Sequence, residues 1–135
     1  MPNKIGEVEK IGTKYAKGLQ EIGVQTTDDL LKEAGAPQGR KQLADRIGVE
    51  PRMVLEWVNR ADLMRIKGIG TEYSDLLEES GVDSTKELAG RVPANLWGKM
   101  DEINKTKHLV QRVPPTKTVE EWVSEAKKLT PMVTH

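Results

Sequence analysis

Two short glycine-containing segments hold the residues whose types and spacing suit binding chemistry. One is Lys10-Ile-Gly-Thr-Lys14 and the other is Lys67-Gly-Ile-Gly-Thr71. Glycine lets a backbone turn sharply and approach another molecule without an obstructing Cβ. A helix that begins directly after such a turn presents free N–H groups and the positive end of its dipole. Each segment is therefore a candidate site for a phosphate group.

Backbone N–H groups and nearby cations would bind the phosphates of DNA or RNA without reading the bases. The predicted contact residues of the first segment are Lys10, Gly12, Thr13, Lys14 and Lys17, and those of the second are Arg65, Lys67, Gly68, Gly70 and Thr71. Glu72 and Asp75 follow the second segment and are expected to repel phosphate. We therefore expect the first segment to dominate binding.

The remaining reactive side chains assemble no active site, and the sequence predicts a protein that is not an enzyme. His108 and His135 are far apart in the chain, and no zinc-protease, phosphate-loop or Ser-His-Asp pattern is present. Neither a cofactor nor a metal site is expected. The acidic pairs Asp28-Asp29 and Glu78-Glu79 are interpreted as solvated helix faces or helix caps.

The balance of charge limits the strength of any nucleic-acid binding. The 21 Lys and Arg residues equal the 21 Asp and Glu residues, with 10 of each in residues 1–62 and 11 of each in 63–135. Affinity for nucleic acid comes largely from cations that displace counterions from phosphates. The balance therefore predicts weak binding. Without cysteine, a signal-like apolar segment at residues 1–10 or a membrane-spanning run, we expect a cytoplasmic protein that contacts no membrane.

The chain repeats itself at a fixed interval. Ile11-Gly-Thr-Lys-Tyr15 recurs 58 residues later as Ile69-Gly-Thr-Glu-Tyr73, and the register then slips so that Glu56-Trp-Val recurs 65 residues later as Glu121-Trp-Val. Such periodicity is typical of duplicated structural units. The predicted units are residues 1–62 and 63–135.

Each unit is predicted to consist of short helices, since no segment alternates as a strand would. Helices are expected over 13–22, 51–64, 71–80 and 119–129. Further helices are expected to start at Thr26 and at Ser84. Ser84 with Glu87 matches the capping box, for which Thr26 with Asp29 is a shorter-acid variant. Thr118 with Glu121 is expected to cap the last helix.

The segment Leu63-Met-Arg-Ile-Lys-Gly-Ile-Gly-Thr-Glu-Tyr73 resembles the helix-hairpin-helix motif, in which Gly-hydrophobic-Gly joins two helices. Residues 8–19 have the same pattern, with Lys10 in place of the first glycine. Together with Gly39-Arg-Lys41, the tandem arrangement resembles a bacterial helix-hairpin-helix family known as a domain of unknown function. The resemblance implies an all-α fold of two tandem helix-hairpin-helix repeats packed with pseudo-two-fold symmetry.

Residues 43–57 resemble a DNA-reading helix-turn-helix, with Ala44, Gly48, Val54 and Trp57 at that motif's spacing. Of the outward positions on the second helix, only Arg52 suits contact with DNA, and carboxylates flank it. Trp57 also recurs as Trp122 without a preceding turn. We therefore interpret the segment as packing and expect both tryptophans to be buried.

A second function class stays open beside nucleic-acid binding, namely a protein-interaction or scaffold module in which the two hairpins are structural and Ile11, Ile69, Tyr15 and Tyr73 belong to the core. Its contact surface would be Leu96, Trp97 and Met100, or the tail 131–135.

The repeat also predicts how the two units join. The first hairpin has only seven residues before Val8, too few for a stable leading helix. We therefore expect helix 119–129 to pack against the first hairpin and close the structure. The arrangement favours a monomer, and the same exchange between two chains permits a swapped dimer.

Overall fold

The computed structural model describes residues 3–135 and is all-helical over that range, as the sequence predicts. A 3₁₀ turn at Ile5–Glu7 precedes eight α-helices, and residues 3–135 form no strand beyond one isolated bridge between Lys4 and Thr26. The helices are α1 Gly12–Glu21, α2 Thr27–Ala34, α3 Pro37–Ile47, α4 Pro51–Leu63, α5 Thr71–Glu79, α6 Thr85–Ala89, α7 Pro93–Lys107 and α8 Thr116–Lys128.

Proline and capping residues set several helix starts. Pro51 opens α4, where the missing N–H of proline costs nothing. At α2 the Thr26 side chain accepts from the Asp29 N–H, and the Asp29 carboxylate accepts from the Thr26 N–H at 3.1 Å. At α6 the Ser84 hydroxyl accepts from the Glu87 N–H at 3.1 Å. The reciprocal capping box is thus observed at Thr26, although Ser84 with Glu87 matches the sequence motif better.

Helix α8 begins earlier than predicted, and Thr118 does not cap it. The helix starts at Thr116 with Pro115 as its N-cap, and the Thr118 N–H bonds the Pro115 carbonyl at 2.9 Å. The residue before a proline avoids helical backbone angles. Pro115 therefore disfavours a helical conformation at Pro114, and the helix begins directly after the proline pair.

The buried apolar side chains form two clusters. The first is built from residues 5–64 with Val133 and contains Trp57, which lies 5.3 Å from Tyr15 between ring centroids. The second is built from residues 63–126 and contains Trp122, which lies 5.4 Å from Tyr73. Trp57 is 0% exposed and Trp122 is 3% exposed, so the predicted burial of both is confirmed.

The predicted docking of helix 119–129 on the first hairpin is wrong. Helix α8 packs against α6 and α7, and its Trp122 ring contacts the Tyr73 ring of the second hairpin at a tilt of 56°. The position beside the first hairpin is filled by α4, whose Trp57 contacts Tyr15. Each of the two tryptophans therefore contacts the tyrosine of the hairpin that precedes it in the chain.

The segment after α8 returns to the first cluster. Val133 is buried there, and the Thr134 N–H donates to the Gly35 carbonyl at 2.8 Å. The buried Arg40 donates to the Thr134 carbonyl at 2.6 Å and to the Gly35 carbonyl at 2.8 Å. Residues 130–134, called the C-terminal strap below, thus connect the second half of the chain to the first.

Candidate nucleic-acid interface

Buried apolar side chains anchor the first glycine-containing turn to the first cluster. Val8 and Ile11 are buried in the first cluster, while Lys10 between them is exposed. Lys10 has a φ of 76°, in the left-handed region that favours glycine, and Gly12 has a φ of 62°. Helix α1 begins at Gly12, and no side chain within residues 3–135 caps its N-terminus. Gly12, Thr13 and Lys14 are exposed, so the start of α1 is accessible to solvent.

The second turn resembles the first in its buried apolar side chains and in one left-handed residue, but its second glycine, Gly70, is extended with a φ of −103°. Ile66 and Ile69 are buried, and Gly68 has a φ of 94° at the position that corresponds to Lys10. A Cβ on Gly68 would lie 3.4 Å from the Trp122 indole nitrogen, so the indole packs closely over this glycine. Helix α5 begins at Thr71, again without a side-chain cap from the described residues.

The two turns lie side by side. The Thr71 hydroxyl at the start of α5 donates to the Glu7 carbonyl at 2.6 Å, although 64 residues separate them. One shallow cleft is lined by the first turn, from Gly6 to Gly12, together with Thr71. Both uncapped helix starts therefore belong to one continuous surface, which we call the hairpin face and define by residues 6–14 and 65–72.

The exposed cations of the hairpin face and its border are lysines. Lys14, Lys17 and Lys67 are exposed, and the Lys14 ammonium lies 5.5 Å from the Tyr15 ring centroid. Lys10 is exposed and contacts the Glu56 carboxylate at 3.4 Å. Such a surface ion pair holds its lysine only weakly. These four lysines are therefore accessible to a phosphate group.

Arg65 is the predicted contact residue whose charged group has two partners in the structure. Its guanidinium donates to the Asp62 carboxylate at 2.9 Å and to the Thr130 carbonyl at 2.9 Å. Asp62 is buried and also accepts from the Thr85 N–H at 2.7 Å. Arg65 therefore links the second turn to α6 and to the C-terminal strap.

Of the two acids that are expected to repel phosphate, Asp75 does not lie on the surface. Glu72 is exposed to solvent in part, in the first turn of α5. Asp75 is buried and accepts two hydrogen bonds from the Arg60 guanidinium, at 2.8 and 3.1 Å. A buried arginine needs a carboxylate partner because isolated buried charge is costly. The sequence analysis did not predict this ion pair. Its only indication in the sequence is that Arg60 lies among the apolar residues of α4.

Comparison with known families gives one match. The model of a family described as domain of unknown function (DUF4332) matches residues 9–129. The chain belongs to this family. Comparisons with curated proteins and with solved structures found no match.

In this member of the DUF4332 family, one of the two surfaces expected for protein contacts is largely internal, whereas the tail 131–135 is exposed except for Val133. Leu96 and Met100 are 0% exposed and belong to the second cluster, and Trp97 is half-buried with its indole N–H donating to the Pro114 carbonyl at 2.8 Å. Val133 of the expected tail is buried in the first cluster. The sequence could not distinguish these core positions from an exposed stripe, since both have helical spacing.

The helix-turn-helix lookalike of this DUF4332 chain packs as expected. Ala44, Val54 and Trp57 are all 0% exposed, and Gly48 ends α3 with a φ of 77°. The second helix of the segment is therefore turned toward the first cluster by its apolar side.

Two further properties concern residues 3–135 of this family member as a whole. No helix in that range combines the length and the apolar composition needed to cross a membrane. Over the same range, no group of three or more His, Cys, Asp or Glu side chains is placed to hold a metal ion.

Proposed function

We propose that this chain binds nucleic acid weakly and without sequence preference, through phosphate contacts on the hairpin face. The observation that carries the proposal is the contact between Thr71 and Glu7, which brings two uncapped helix starts onto one surface. Free N–H groups at helix N-termini, with lysines beside them, suit anionic oxygens. Two such starts side by side can contact two phosphates of one nucleic acid.

The proposal includes the fold assignment to two tandem helix-hairpin-helix units related by an approximate two-fold axis. It is supported by the 58-residue repeat and by the left-handed backbone shared by Lys10 and Gly68. The matching tyrosine–tryptophan contacts, at 5.3 and 5.4 Å, support it further. Lys10 fills the place of the missing first glycine at the conformational cost of a left-handed lysine.

The mixture of positive and negative charges on the hairpin face supports a low affinity for nucleic acid. The lysines Lys10, Lys14 and Lys67 are opposed by the acids Glu7, Glu9 and Glu72 on the same surface. Phosphate contacts by lysine release counterions, so binding should weaken steeply with added salt. The proposed DNA or RNA ligand is therefore held by few contacts and released readily at physiological salt.

Fluorescence anisotropy with single- and double-stranded DNA across a salt series tests the proposal. The double variant Lys14→Glu, Lys17→Glu should bind more weakly than wild type. For duplex DNA, its plot of log affinity against log salt should be flatter by roughly 0.9 for each phosphate that the variant no longer neutralises. The matched control is Lys127→Glu, Lys128→Glu on α8, two exposed lysines outside the hairpin face.

Glu72→Lys should strengthen binding, because it replaces the acid at the start of α5 with a cation. Equal decreases of affinity in the lysine variant and its control, or unchanged affinity in both the lysine variant and Glu72→Lys, would overturn the hairpin mechanism. No binding by wild type at low salt would instead favour the protein-interaction function.

A further inference from the structure

A cleft between α4 and α5, next to the first turn, is lined by two residues that each have a buried side-chain oxygen without a hydrogen-bond partner among the described residues. Its volume is about 380 Å³, within the range of small-molecule sites. The lining includes Glu56 and Asn59 from α4 and Glu78 and Glu79 from α5. The cleft lies outside the hairpin face, apart from Lys10 at its edge.

Two buried oxygen atoms of this cleft lack hydrogen-bond partners among residues 3–135. They are Asn59 Oδ1 and Glu78 Oε2. Asn59 as a whole is only 4% exposed. A buried acceptor without a donor costs a large part of its desolvation free energy, so proteins rarely leave one unpaired. Two unpaired acceptors in residues that line one cleft therefore point to a missing donor.

The positive groups around the cleft are mostly engaged with other acids. Arg60 bonds Asp75 and lies 3.7 Å from Glu79, Lys107 pairs with Glu79, and Lys10 contacts Glu56. Arg52 is exposed at the rim. Glu78 is thus the carboxylate of the cleft without an ion-pair contact among the described residues.

The raised pKa of Glu78 is consistent with a carboxylate that lacks a positive partner. Burial raises the pKa of Glu78; Arg60 lowers it in part, and Asp83, Glu56 and Glu79 raise it further. A group that is costly to ionise in the free protein becomes easier to ionise when a positive charge lies against it.

We propose that this cleft binds a small organic cation, an alkylammonium or alkylguanidinium, and that the Asn59 and Glu78 side chains turn toward it so that its N–H groups donate to Asn59 Oδ1 and Glu78 Oε2. A cation is favoured over an anion because both unpaired atoms are acceptors and one belongs to a carboxylate. The proposal is independent of nucleic-acid binding, since neither side chain lies on the hairpin face.

Titration calorimetry with agmatine and with putrescine, at constant ionic strength, tests the proposal and separates the guanidinium from the ammonium. Wild type should bind at least one of them saturably at millimolar concentration, whereas uncharged butanediol should not bind. In an NMR titration, the Asn59 side-chain amide signals should shift with the same affinity, which locates the site.

Glu78→Gln should weaken binding about tenfold, since a charge-assisted hydrogen bond becomes a neutral one. The fold should survive this change because it removes an unpaired buried carboxylate. Asn59→Ala should also weaken binding, and Glu120→Gln, an exposed acid on α8, is the matched control. Absence of saturable binding by wild type, or an unchanged affinity in Glu78→Gln, would overturn the proposal.

Discussion

Arg60 and Asp75 show how one buried charge fixes the role of a second residue. The Arg60 side chain is 1% exposed, and its guanidinium is held by Asp75 at 2.8 Å. A buried arginine that loses its partner leaves a charge in a medium that solvates it poorly. Asp75, 15 positions along the chain, is therefore part of the packing between α4 and α5 and not of the hairpin face.

Asp75→Ala should lower the free energy of unfolding by about 3 kcal/mol, the lower part of the range for breaking a buried pair. A loss of stability in the lower part of this range is expected because Glu79, 3.7 Å from Arg60, remains as a weaker partner. Urea denaturation measures the difference. Glu72→Ala, a solvent-accessible acid in the same helix, is the control and should change stability by less than about 0.5 kcal/mol. Equal effects of the two substitutions would contradict a structural role for Asp75.

At the scale of a helix, the start of α2 explains why a short acid completes its capping box. Asp29 accepts from the N–H groups of Gln25 at 3.0 Å and Thr26 at 3.1 Å. The preceding chain is held in place because the Ile5 N–H donates to the Gln25 carbonyl at 2.9 Å. Both donors are therefore fixed by a distant segment, and an aspartate reaches them without the longer glutamate side chain.

Asp29 should give the protein a pH-dependent contribution to stability. The backbone N–H of Gln25, followed by Thr26 and Lys32, keeps the pKa of Asp29 below its ordinary value despite partial desolvation. This contribution is present above the pKa of the unfolded chain and is lost as pH falls through the lower pKa of the folded state. Wild type should therefore exceed Asp29→Asn in unfolding free energy at neutral pH, and the difference should shrink in acid. A difference that stays constant with pH would contradict this assignment.

At the scale of the whole molecule, the C-terminal strap connects parts of the chain that the repeat alone would leave separate. Val133 enters the first cluster, and Arg40 binds the strap carbonyl of Thr134. Arg65 binds the carbonyl of Thr130 near the other end of the strap. The first and second clusters are thus coupled through the strap as well as through α4.

Val133→Asp should destabilise the protein markedly, because it places an unpaired carboxylate in an apolar site or forces the strap to leave it. Thermal unfolding and hydrogen exchange at the Thr134 amide, which bonds Gly35, measure the effect. Met132→Asp is the neighbouring control, since that side chain is 36% exposed. Equal melting temperatures for Val133→Asp and Met132→Asp would show that strap docking contributes little to stability.

Local backbone preference and periodicity account for the features that could be predicted from the amino-acid sequence. The all-helical class, the start of α4 at Pro51, and the burial of Trp57 and Trp122 all follow from residue types within one or two helical turns. The motif also located the two turns, because glycine and its lysine substitute mark where the chain must adopt left-handed angles.

Which segments meet depends instead on the tertiary fold. The pattern of Trp122 is equally compatible with either hairpin, and Asp75 has the spacing of a surface acid although it lies against Arg60. The contact of Thr71 with Glu7 and the docking of Val133 join residues far apart in the chain. Many arrangements of the helices satisfy the same local sequence pattern. The contacts that form therefore depend on packing and charge pairing summed over distant segments of the chain.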